Sequence, residues 1–493
     1  MGGVIQRDPV SAASTTHDVI VIGGGIYGIA VAHRATRLGL RPLLIERDDF
    51  GGATSGNSLR ILHGGIRSLQ TFDLGCFRDM FVAQTWFLRH FPEHLAALEC
   101  LMPLYGQGLR RPGAFRMALA LDQLLRRACG QGHRSSILPP GGVLDADATR
   151  RRFPLVPSLG LQGAGVWYDA IMRHPQRVLI DWLRWACAGG ATALNRVAAQ
   201  QLLIKDGRVA GVLAQDRVAG TSLCFRASTV INCAGPWSEE LGRAFDPNTR
   251  ARFRPTLAFN LLLDRPPIAP CAVAVATPTG SGRTYFIVPW GNHTLVGTYH
   301  GPWSGLPHHP NPSEEQIGQM LRELNAAVPG WDLQSNAVVR VCSGLLPGTS
   351  GAGEEGLQTQ ATVHDHGRIG GPVGLFTVSG VKFTTAPVVA ARALRAAGFR
   401  TVGSVVEVPR PPAREMPDAL SFRRNLATGT GQAAVWLRRV VDEESVLSVE
   451  DFLRRRTDWG LDPRHEPELE RLIRPLLPQI GTEPEALSQV MAG

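Results

Sequence analysis

Long apolar runs are absent from this chain of 493 residues. No segment approaches the roughly 20 apolar residues that cross a bilayer as a helix. The first residues are polar and are interrupted by Asp8 and Pro9, so they lack the apolar core of a secretory signal. We therefore expect a flexible leader over residues 1–16 and a cytoplasmic protein whose membrane contact, if any, is peripheral at the inner face.

Closely spaced cysteine pairs are also missing. The eight cysteines form no CxxC pair and no His/Cys cluster with the spacing of metal ligands. This absence excludes the common zinc and dithiol motifs. It predicts a reduced interior and no metal site.

Lysine is nearly absent, because only Lys205 and Lys382 occur and every other basic residue is arginine. A lysine kept in such a chain indicates a position where a guanidinium would not serve, which makes Lys382 a candidate site residue. The formal net charge of +9 suits a nucleotide, a phosphorylated substrate or a lipid headgroup without choosing among them. No nucleic-acid motif is present, so we expect no nucleic-acid partner.

A strand, a glycine-rich turn and a helix stand near the start of the chain. The apolar run 18–22 is typical of a strand buried on both faces, and GxGxxG follows at 23–28. Such glycines let the backbone approach a pyrophosphate, and the helix N-terminus offers it N–H groups. A second strand ends at Glu46, where a carboxylate accepts hydrogen bonds from ribose hydroxyls about 20 residues after the turn. The pattern predicts a dinucleotide-binding βαβ unit.

The rest of the chain predicts an α/β protein with a second, antiparallel domain. A hairpin should turn at Asp206-Gly207, a pair that accepts positive φ. Alternating strands are expected over 256–263, 284–288 and 294–297, and a buried strand over 375–379 precedes a helix over 384–397. The expected domains are a discontinuous dinucleotide-binding domain (17–75, 168–251 and 342–400), a substrate domain (76–167 and 252–341), a linker (401–418) and a helical C-terminal cap (419–493).

Several motifs resemble the FAD-dependent glycerol-3-phosphate dehydrogenases of the D-amino-acid oxidase-like flavoprotein superfamily. A Thr-Ser loop is followed by His63-Gly-Gly-Ile-Arg67, and Asn232-Cys-Ala-Gly-Pro-Trp237 comes later. Further matches are Ser379-Gly-Val-Lys-Phe-Thr-Thr385 and Asp451-Phe-Leu-Arg-Arg-Arg-Thr457. The motifs keep the family's order over roughly residues 18 to 460, which makes the match far more specific than any single motif. The resemblance implies a Rossmann-like FAD domain, an antiparallel substrate domain and a small helical cap.

The resemblance also implies which residues surround FAD. They are Gly23, Gly25, Gly28, Glu46, Thr54, Ser55, Ser58, Gly64, Gly65, Ala234, Gly235, Gly380, Lys382 and Thr384. Thr384-Thr385 is expected to cap the last helix, whose positive N-terminal end would stabilise negative charge on a reduced flavin. Lys382 would reinforce that charge or reach the substrate.

The candidate catalytic residues are His63, Arg67, His300 and Lys382. His63 is a candidate proton acceptor near neutral pH, although a lone histidine is more often structural. Arg67 offers fixed donors to an anionic or hydroxyl-bearing substrate. His300 is an alternative base.

The substrate side departs from the family pattern. Leu346 stands where the family has an arginine that binds the substrate phosphate, and Ser68 replaces a tyrosine. The usual Gly-Ser-His is Ala258-Phe259-Asn260, which makes His300 a candidate for the base role lost at Asn260. These departures leave the substrate open.

The resemblance implies an oxidoreductase that passes hydride from a secondary alcohol to flavin N5. The substrate would be a small polyol, polyol phosphate or hydroxy acid, and quinone or oxygen would accept the electrons. One alternative is an amine or amino-acid oxidase of the same superfamily, in which Arg67 pairs with a carboxylate. An alternative of another class is a flavin-binding protein that acts as a scaffold or modifies RNA.

Overall fold

Helices and strands alternate along most of the chain. The computed structural model describes residues 3–66, 73–106, 111–128, 138–247, 254–278, 282–305, 307–308, 310–349, 357–400, 406–417, 422 and 431–477. The strands are β1 (Val19–Ile22), β2 (Pro42–Ile45), β3 (Ile61–Leu62), β4 (Leu95–Leu104), β5 (Gly142–Leu144), β6 (Gly163–Met172), β7 (Thr192–Leu194), β8 (Val197–Lys205), β9 (Arg208–Asp216), β10 (Ser222–Arg226), β11 (Val230–Asn232), β12 (Arg254–Leu263), β13 (Ala272–Ala276), β14 (Thr284–Trp290), β15 (His293–Pro302), β16 (Val338–Gly348), β17 (Thr362–Asp365) and β18 (Leu375–Ser379). The helices are α1 (Pro9–Ser14), α2 (Ile26–Arg37), α3 (Leu74–His90), α4 (Pro112–Ala128), α5 (Ala146–Arg152), α6 (Pro175–Ala188), α7 (Ser238–Phe245), α8 (Glu314–Ala327), α9 (Ala386–Ala396), α10 (Gly431–Glu443), α11 (Val449–Asp451) and α12 (Glu466–Ile473).

A six-stranded sheet carries the βαβ unit. Its order is β17-β18-β11-β1-β2-β7, and every pair is parallel except β17 with β18. All four residues of β1 are buried. Val19 and Val21 pack in one core with α2, whereas Ile20 and Ile22 enter a second core on the opposite face. The β-branched run therefore forms a strand covered on both faces, as predicted.

A nine-stranded sheet forms the second half of the fold. Its main path is β16-β12-β15-β14-β13-β4-β6-β3, and β5 pairs with β6. Among the described residues the neighbouring strands are antiparallel, except that β13 runs parallel to β4. The sheet buries apolar side chains on both faces, one of them beneath α8. The antiparallel architecture that the sequence predicts is confirmed.

A three-stranded antiparallel sheet, β10-β9-β8, contains the predicted hairpin. Asp206 and Gly207 join β8 to β9 with φ values of 52° and 72°. Both residues thus adopt the left-handed conformation that a tight two-residue turn requires.

Sheet pairing shifts the expected domain borders. β16 pairs with β12 from Val338 to Gly348, so the border expected between 341 and 342 falls inside a strand of the nine-stranded sheet. β6 likewise crosses the border expected between 167 and 168, because it pairs with β4 up to Met172. β3 also belongs to this sheet, although the sequence grouped it with the first domain.

The first described residues of the chain are ordered in the structure, whereas the sequence predicted a flexible leader over residues 1–16. Its described part, from residue 3 onward, contains α1, which begins with the side chain of Asp8 accepting a hydrogen bond from Ser11 N. Ile5 is 1% exposed and its N–H donates to the carbonyl of Glu443. The polar composition was a poor guide, because a few apolar residues suffice to anchor a short segment.

The C-terminal helices have an apolar core of their own and pack on the first half of the fold. Phe422, Leu437, Phe452 and Trp459 are buried in that core. Buried ion pairs connect it to the six-stranded half, including Arg177 with Glu444 at 2.8 Å. No helix in the described ranges is long and apolar enough to span a membrane.

Candidate active site

The glycine-rich turn lies where β1 meets α2. Gly23 has φ of 104°, and a Cβ there would lie 2.6 Å from the carbonyl oxygen of Cys233. A Cβ at Gly28 would overlap the carbonyl oxygen of Gly23. Gly25 is the N-cap of α2 and supplies no side-chain cap. The turn therefore holds α2 close to β1 and leaves backbone N–H groups at the end of the helix.

Glu46 lies beside this turn, half-buried directly after β2. Its Oε2 accepts from Gly24 N–H at 2.6 Å and its Oε1 from Asp48 N–H at 2.8 Å. Burial raises the pKa of Glu46, and these two backbone hydrogen bonds work against that rise. Each carboxylate oxygen has a second lone pair, so Glu46 can still accept from ribose hydroxyls.

The Thr-Ser loop joins the two large sheets. Thr54 Oγ1 donates to the carbonyl of Leu345 at 3.0 Å, and Asn57 Nδ2 donates to the carbonyl of Ser343 at 2.8 Å. Ser55 Oγ accepts from Ile26 N–H at 3.0 Å, so it caps one N–H group at the start of α2. The loop thus fixes the glycine turn relative to β16.

The segment after β18 packs against the first turn of α2, beside the glycine-rich turn. A Cβ at Gly380 would overlap the Tyr27 hydroxyl, which donates to the carbonyl of Lys382 at 2.8 Å. Burial raises the pKa of Tyr27 to about 12, so this hydroxyl stays a neutral donor. Ser379 Oγ is buried and has no hydrogen-bond partner among the described residues. An unsatisfied hydroxyl of this kind fits a site that receives a ligand.

The predicted cap at Thr384-Thr385 is wrong. Thr385 Oγ1 donates to the carbonyl of Lys382 at 3.0 Å, and α9 begins without a side-chain cap. The hydroxyl finds a carbonyl within its own turn and therefore does not accept from the N–H groups ahead of it. The first N–H group of the helix, that of Ala386, donates to the carbonyl of Phe383, and Pro387 has no N–H, so the start of α9 offers a ligand little.

Lys382 contacts sulfur atoms of α3. Its Nζ lies 3.0 Å from Cys76 Sγ and 3.6 Å from Met80 Sδ. Within the described ranges no carboxylate forms an ion pair with Lys382. Its positive charge is therefore available to an anionic group in the cavity.

His63 is paired with Asp169, which the sequence analysis missed. His63 Nδ1 lies 3.0 Å from Asp169 Oδ2, and Asp169 Oδ1 accepts from Gly64 N–H at 2.7 Å. Burial would raise the pKa of Asp169, but His63, the Gly64 amide and the Trp167 indole lower it below its ordinary value. The ionised carboxylate therefore assigns the proton to Nδ1, and Nε2 is left as the acceptor.

The remaining predicted catalytic residues have different outcomes. His300 lies on β15 and lines the cavity, and its carbonyl accepts from Arg283 Nη2 at 3.1 Å. Asn260 Nδ2 donates to the Asn57 carbonyl at 2.9 Å, and its Oδ1 accepts from Thr298 Oγ1 at 2.8 Å. The Asn260 amide thus holds the Thr-Ser loop in place. Arg67, with its neighbour at 68, lies outside the described residues.

One cavity of about 1610 Å³ brings most of the predicted site residues together. This volume exceeds the roughly 300–1,000 Å³ of pockets for drug-sized ligands, so a dinucleotide and a small substrate fit together. Gly28 and Gly64 do not line it, because they serve close packing: a Cβ at Gly64 would lie 2.7 Å from Gln84 Oε1. The predicted residues that line it are Gly23, Gly25, Glu46, Thr54, Ser55, Ser58, His63, Gly65, Ala234, Gly235, His300, Gly380, Lys382 and Thr384.

Metal ligands do not gather at this cavity. The described residues contain no group of three or more His, Cys, Asp or Glu side chains that could hold a metal ion. The remaining N–H groups at the start of α2, the half-buried Glu46 carboxylate and the size of the cavity all fit a dinucleotide such as FAD.

Comparison with known proteins gives consistent matches. The DAO family model, described as FAD dependent oxidoreductase, matches residues 18–396. An alpha-glycerophosphate oxidase of Streptococcus pneumoniae is 30% identical over 336 residues, which cover 67% of this chain and 54% of the relative. A glycerol-3-phosphate dehydrogenase of Synechocystis is 27% identical over 384 residues, covering 76% and 68%. The chain thus spans about half the length of the alpha-glycerophosphate oxidase.

A solved structure shares the fold over nearly the whole chain. The glycerol-3-phosphate dehydrogenase from Bacillus halodurans, complexed with FAD, superposes with a TM-score of 0.67 at 19% identity. The match covers 96% of this chain and 98% of that protein.

Proposed function

Because the chain belongs to the DAO family of FAD-dependent oxidoreductases, we propose that it is a glycerol-3-phosphate dehydrogenase-like enzyme. It oxidises a secondary alcohol of a small polyol, polyol phosphate or hydroxy acid. The observation that carries this proposal is the His63–Asp169 pair, which lines the same cavity as the glycine turn and Lys382. The names of the matched relatives, a glycerophosphate oxidase and a glycerol-3-phosphate dehydrogenase, support it.

FAD, when bound, supplies a hydride acceptor. The N–H groups at the start of α2 would hold its diphosphate, and Glu46 would accept from its ribose. The buried hydroxyl of Ser379, which lines the same cavity, would be a further hydrogen-bond donor to the cofactor.

His63 is proposed as the base that removes the hydroxyl proton. Asp169 holds Nδ1 of its ring at 3.0 Å and favours the tautomer in which Nε2 accepts. The charge of Asp169 also stabilises the imidazolium that forms when the proton arrives. His63 is 38% exposed at the cavity, so substrate can reach it. His300, which lines the same cavity, is the alternative base.

Lys382 and Leu346 are proposed to set the preference for substrate charge. Lys382 places an ammonium group in the cavity and would attract a carboxylate, a phosphate or negative charge on the cofactor. Leu346 lines the cavity and offers no donor where the resemblance predicts a phosphate-binding arginine. We therefore propose that the site prefers substrates whose negative charge Lys382 can bind alone, without an arginine at position 346.

Peripheral membrane contact is proposed through α4. Met117 is 74% exposed and Leu124 is 62% exposed, and both lie with Ala120 on one helix face. Arg116 and Arg127 are exposed beside them. An apolar strip flanked by arginines suits an anionic lipid surface, and a quinone acceptor would be reached there. Oxygen is the alternative acceptor.

An anaerobic substrate screen tests the proposed function. The FAD-loaded protein is mixed with polyol phosphates, alcohols, hydroxy acids and amino acids, and loss of flavin absorbance is recorded. Reduction by a secondary alcohol supports the proposal. Reduction by amines or amino acids alone would assign the chain to the oxidase alternative, and no reduction by any class would favour a non-catalytic flavin protein.

A further inference from the structure

We propose that Arg455, in the C-terminal helices, binds the adenosine diphosphate part of FAD and so completes the cofactor pocket from beyond the residues that the DAO family model matches. The family model ends at residue 396, so it assigns no role to this segment. The inference rests on the FAD cofactor of the family and not on the proposed substrate.

Three consecutive arginines, Arg454 to Arg456, follow α11. Arg454 and Arg456 each bind both oxygens of a carboxylate. Arg454 donates from Nε and Nη2 to both carboxylate oxygens of Glu466, at 2.9 and 2.8 Å. Arg456 is buried and binds Asp49 through Nη1 at 2.6 Å and Nη2 at 3.0 Å. These neighbours hold the segment against the FAD-binding half and fix where Arg455 lies between them.

Arg455 itself lacks a comparable partner. Its Nε is buried without a hydrogen-bond partner among the described residues. Its remaining contacts are long: Nη2 lies 3.3 Å from Glu450 Oε1, and Nη1 lies 3.5 Å from the carbonyl of Arg454. The Arg455 side chain is only 19% exposed, and a guanidinium that is largely removed from water is costly unless an anion or several acceptors pair with it. The geometry therefore points to an acceptor that arrives with a ligand.

The position of Arg455 identifies that ligand. A Cβ at Gly52 would lie 3.4 Å from Arg455 Nε, so the guanidinium sits on the loop that follows Glu46. Arg455, Glu46, Asp48 and Gly52 line the same cavity. Glu46 marks the ribose end of a dinucleotide in this fold, and the diphosphate lies next to it. The ribose and the diphosphate both supply oxygen acceptors that match a planar guanidinium fork.

The segment that carries Arg455 is held by several hydrogen bonds and ion pairs to the six-stranded half of the fold. The position of Arg455 in the cavity is therefore fixed. Arg196 Nη2 pairs with Asp451 Oδ1 at 2.8 Å, and Asn195 Nδ2 donates to the Ser445 carbonyl at 2.8 Å. Asn195 also binds Asp49 at 2.9 Å. The same residues that follow β2 and β7 in the six-stranded half thus anchor the segment that carries Arg455.

Titration of the apoprotein with FAD tests the inference without any substrate. Arg455→Ala is expected to raise the Kd for FAD by about tenfold or more, the loss typical of a charge-assisted hydrogen bond. Arg455→Lys should recover part of the affinity, because it keeps the charge but not the fork. Arg474→Ala, which removes an exposed arginine that pairs with Glu470 in the same segment, should leave the Kd unchanged.

Thermal unfolding of the same apoproteins separates ligand binding from folding. If Arg455 contacts FAD, the apoprotein of Arg455→Ala melts at the wild-type temperature and only the FAD-induced rise in Tm shrinks. An unchanged Kd in Arg455→Ala would overturn the inference. A lower Tm of its apoprotein that accounts for the whole loss of FAD affinity would also overturn it, because Arg455 would then be structural.

Discussion

His63 Nδ1 lies 3.0 Å from Oδ2 of the buried Asp169. The other carboxylate oxygen, Oδ1, accepts a hydrogen bond from the Gly64 amide. β3 and β6 create this relationship, since their antiparallel register sets Leu62 opposite Ala170. One hydrogen bond thereby connects the edge of the nine-stranded sheet to the loop that the family resemblance assigns to flavin. The orientation of the candidate base therefore depends on the carboxylate of Asp169.

Replacing Asp169 by Asn is expected to lower kcat/KM for the best substrate by about a hundredfold or more, because His63 loses the partner that fixes its tautomer. His63→Ala should cost at least as much. Stopped-flow measurement of flavin reduction checks both. Tyr168 lies next to Asp169 on β6, and Tyr168→Phe, which removes only a hydroxyl that binds Glu99 on β4, should leave the rate unchanged. A wild-type rate in His63→Ala would assign the base to His300 or another residue.

The glycine turn gives a sharp prediction on stability. A Cβ at Gly28 would overlap the carbonyl of Gly23, so Gly28→Ala must displace α2 from β1. We expect a loss of several kcal/mol of unfolding free energy, as for overpacked or strained core sites, with weaker FAD retention. Gly113→Ala in α4 meets no atom within 4 Å and should stabilise the protein by about 0.5–1 kcal/mol. Urea unfolding of both variants measures the difference, and equal effects would contradict the packing argument.

Local patterns predicted the βαβ unit and the hairpin because neighbouring residues determine them. The buried run at β1, the glycines after it and Asp206-Gly207 need no distant partner to adopt their conformations. Asp169 could not be found in this way, since it is 106 residues from His63 and meets it only through strand pairing. The sequence motif Asp451 to Thr457 was visible, but the separate partners of its three arginines were not.

The buried carboxylate of Asp181 predicts a pH dependence of stability. Burial would raise its pKa, but Arg177 at 2.6 Å, His94 at 2.7 Å and Arg184 at 2.9 Å hold the pKa well below its ordinary value. A depressed pKa in the folded state contributes stability above the unfolded pKa of about 3.9, and this contribution is lost as the pH falls through the folded pKa.

Asp181→Asn should therefore lower the unfolding free energy by about 3–5 kcal/mol at pH 7. The deficit should stay constant from about pH 8 to 5 and narrow below about pH 4. Asp147→Asn, in an exposed pair with Arg150, should change stability by less than about 1 kcal/mol at any of these pH values. Urea unfolding of the wild type and both variants across this pH range measures these differences. A difference in unfolding free energy that increases as the pH falls would contradict the prediction.

Membrane contact through α4 should be peripheral and sensitive to salt. Flotation with anionic vesicles is expected to carry the protein, and high salt should release a substantial part of it, because screening shortens the reach of the exposed arginines. The double variant Met117→Ser, Leu124→Ser should bind less. Val435→Ser, which removes an exposed apolar residue on α10, should bind like the wild type. Complete retention until detergent is added would contradict a peripheral contact.

Leu346 lies on β16 opposite Thr256 and lines the cavity, so its substitution tests which group holds a substrate phosphate. We expect poor turnover of glycerol-3-phosphate by the wild type and a lower KM in Leu346→Arg. An apolar side chain gives the phosphate no donor, whereas a charge-assisted contact contributes about 1.5–3 kcal/mol, or roughly tenfold to a hundredfold in affinity. The rate should rise less than the affinity, because Asn260 and His300 also depart from the family pattern and orientation limits the chemical step.

Leu346→Met, which keeps the apolar surface, should behave like the wild type. A low micromolar KM for glycerol-3-phosphate in the wild type, or an unchanged KM in Leu346→Arg, would show that another residue, such as Lys382, already holds the phosphate.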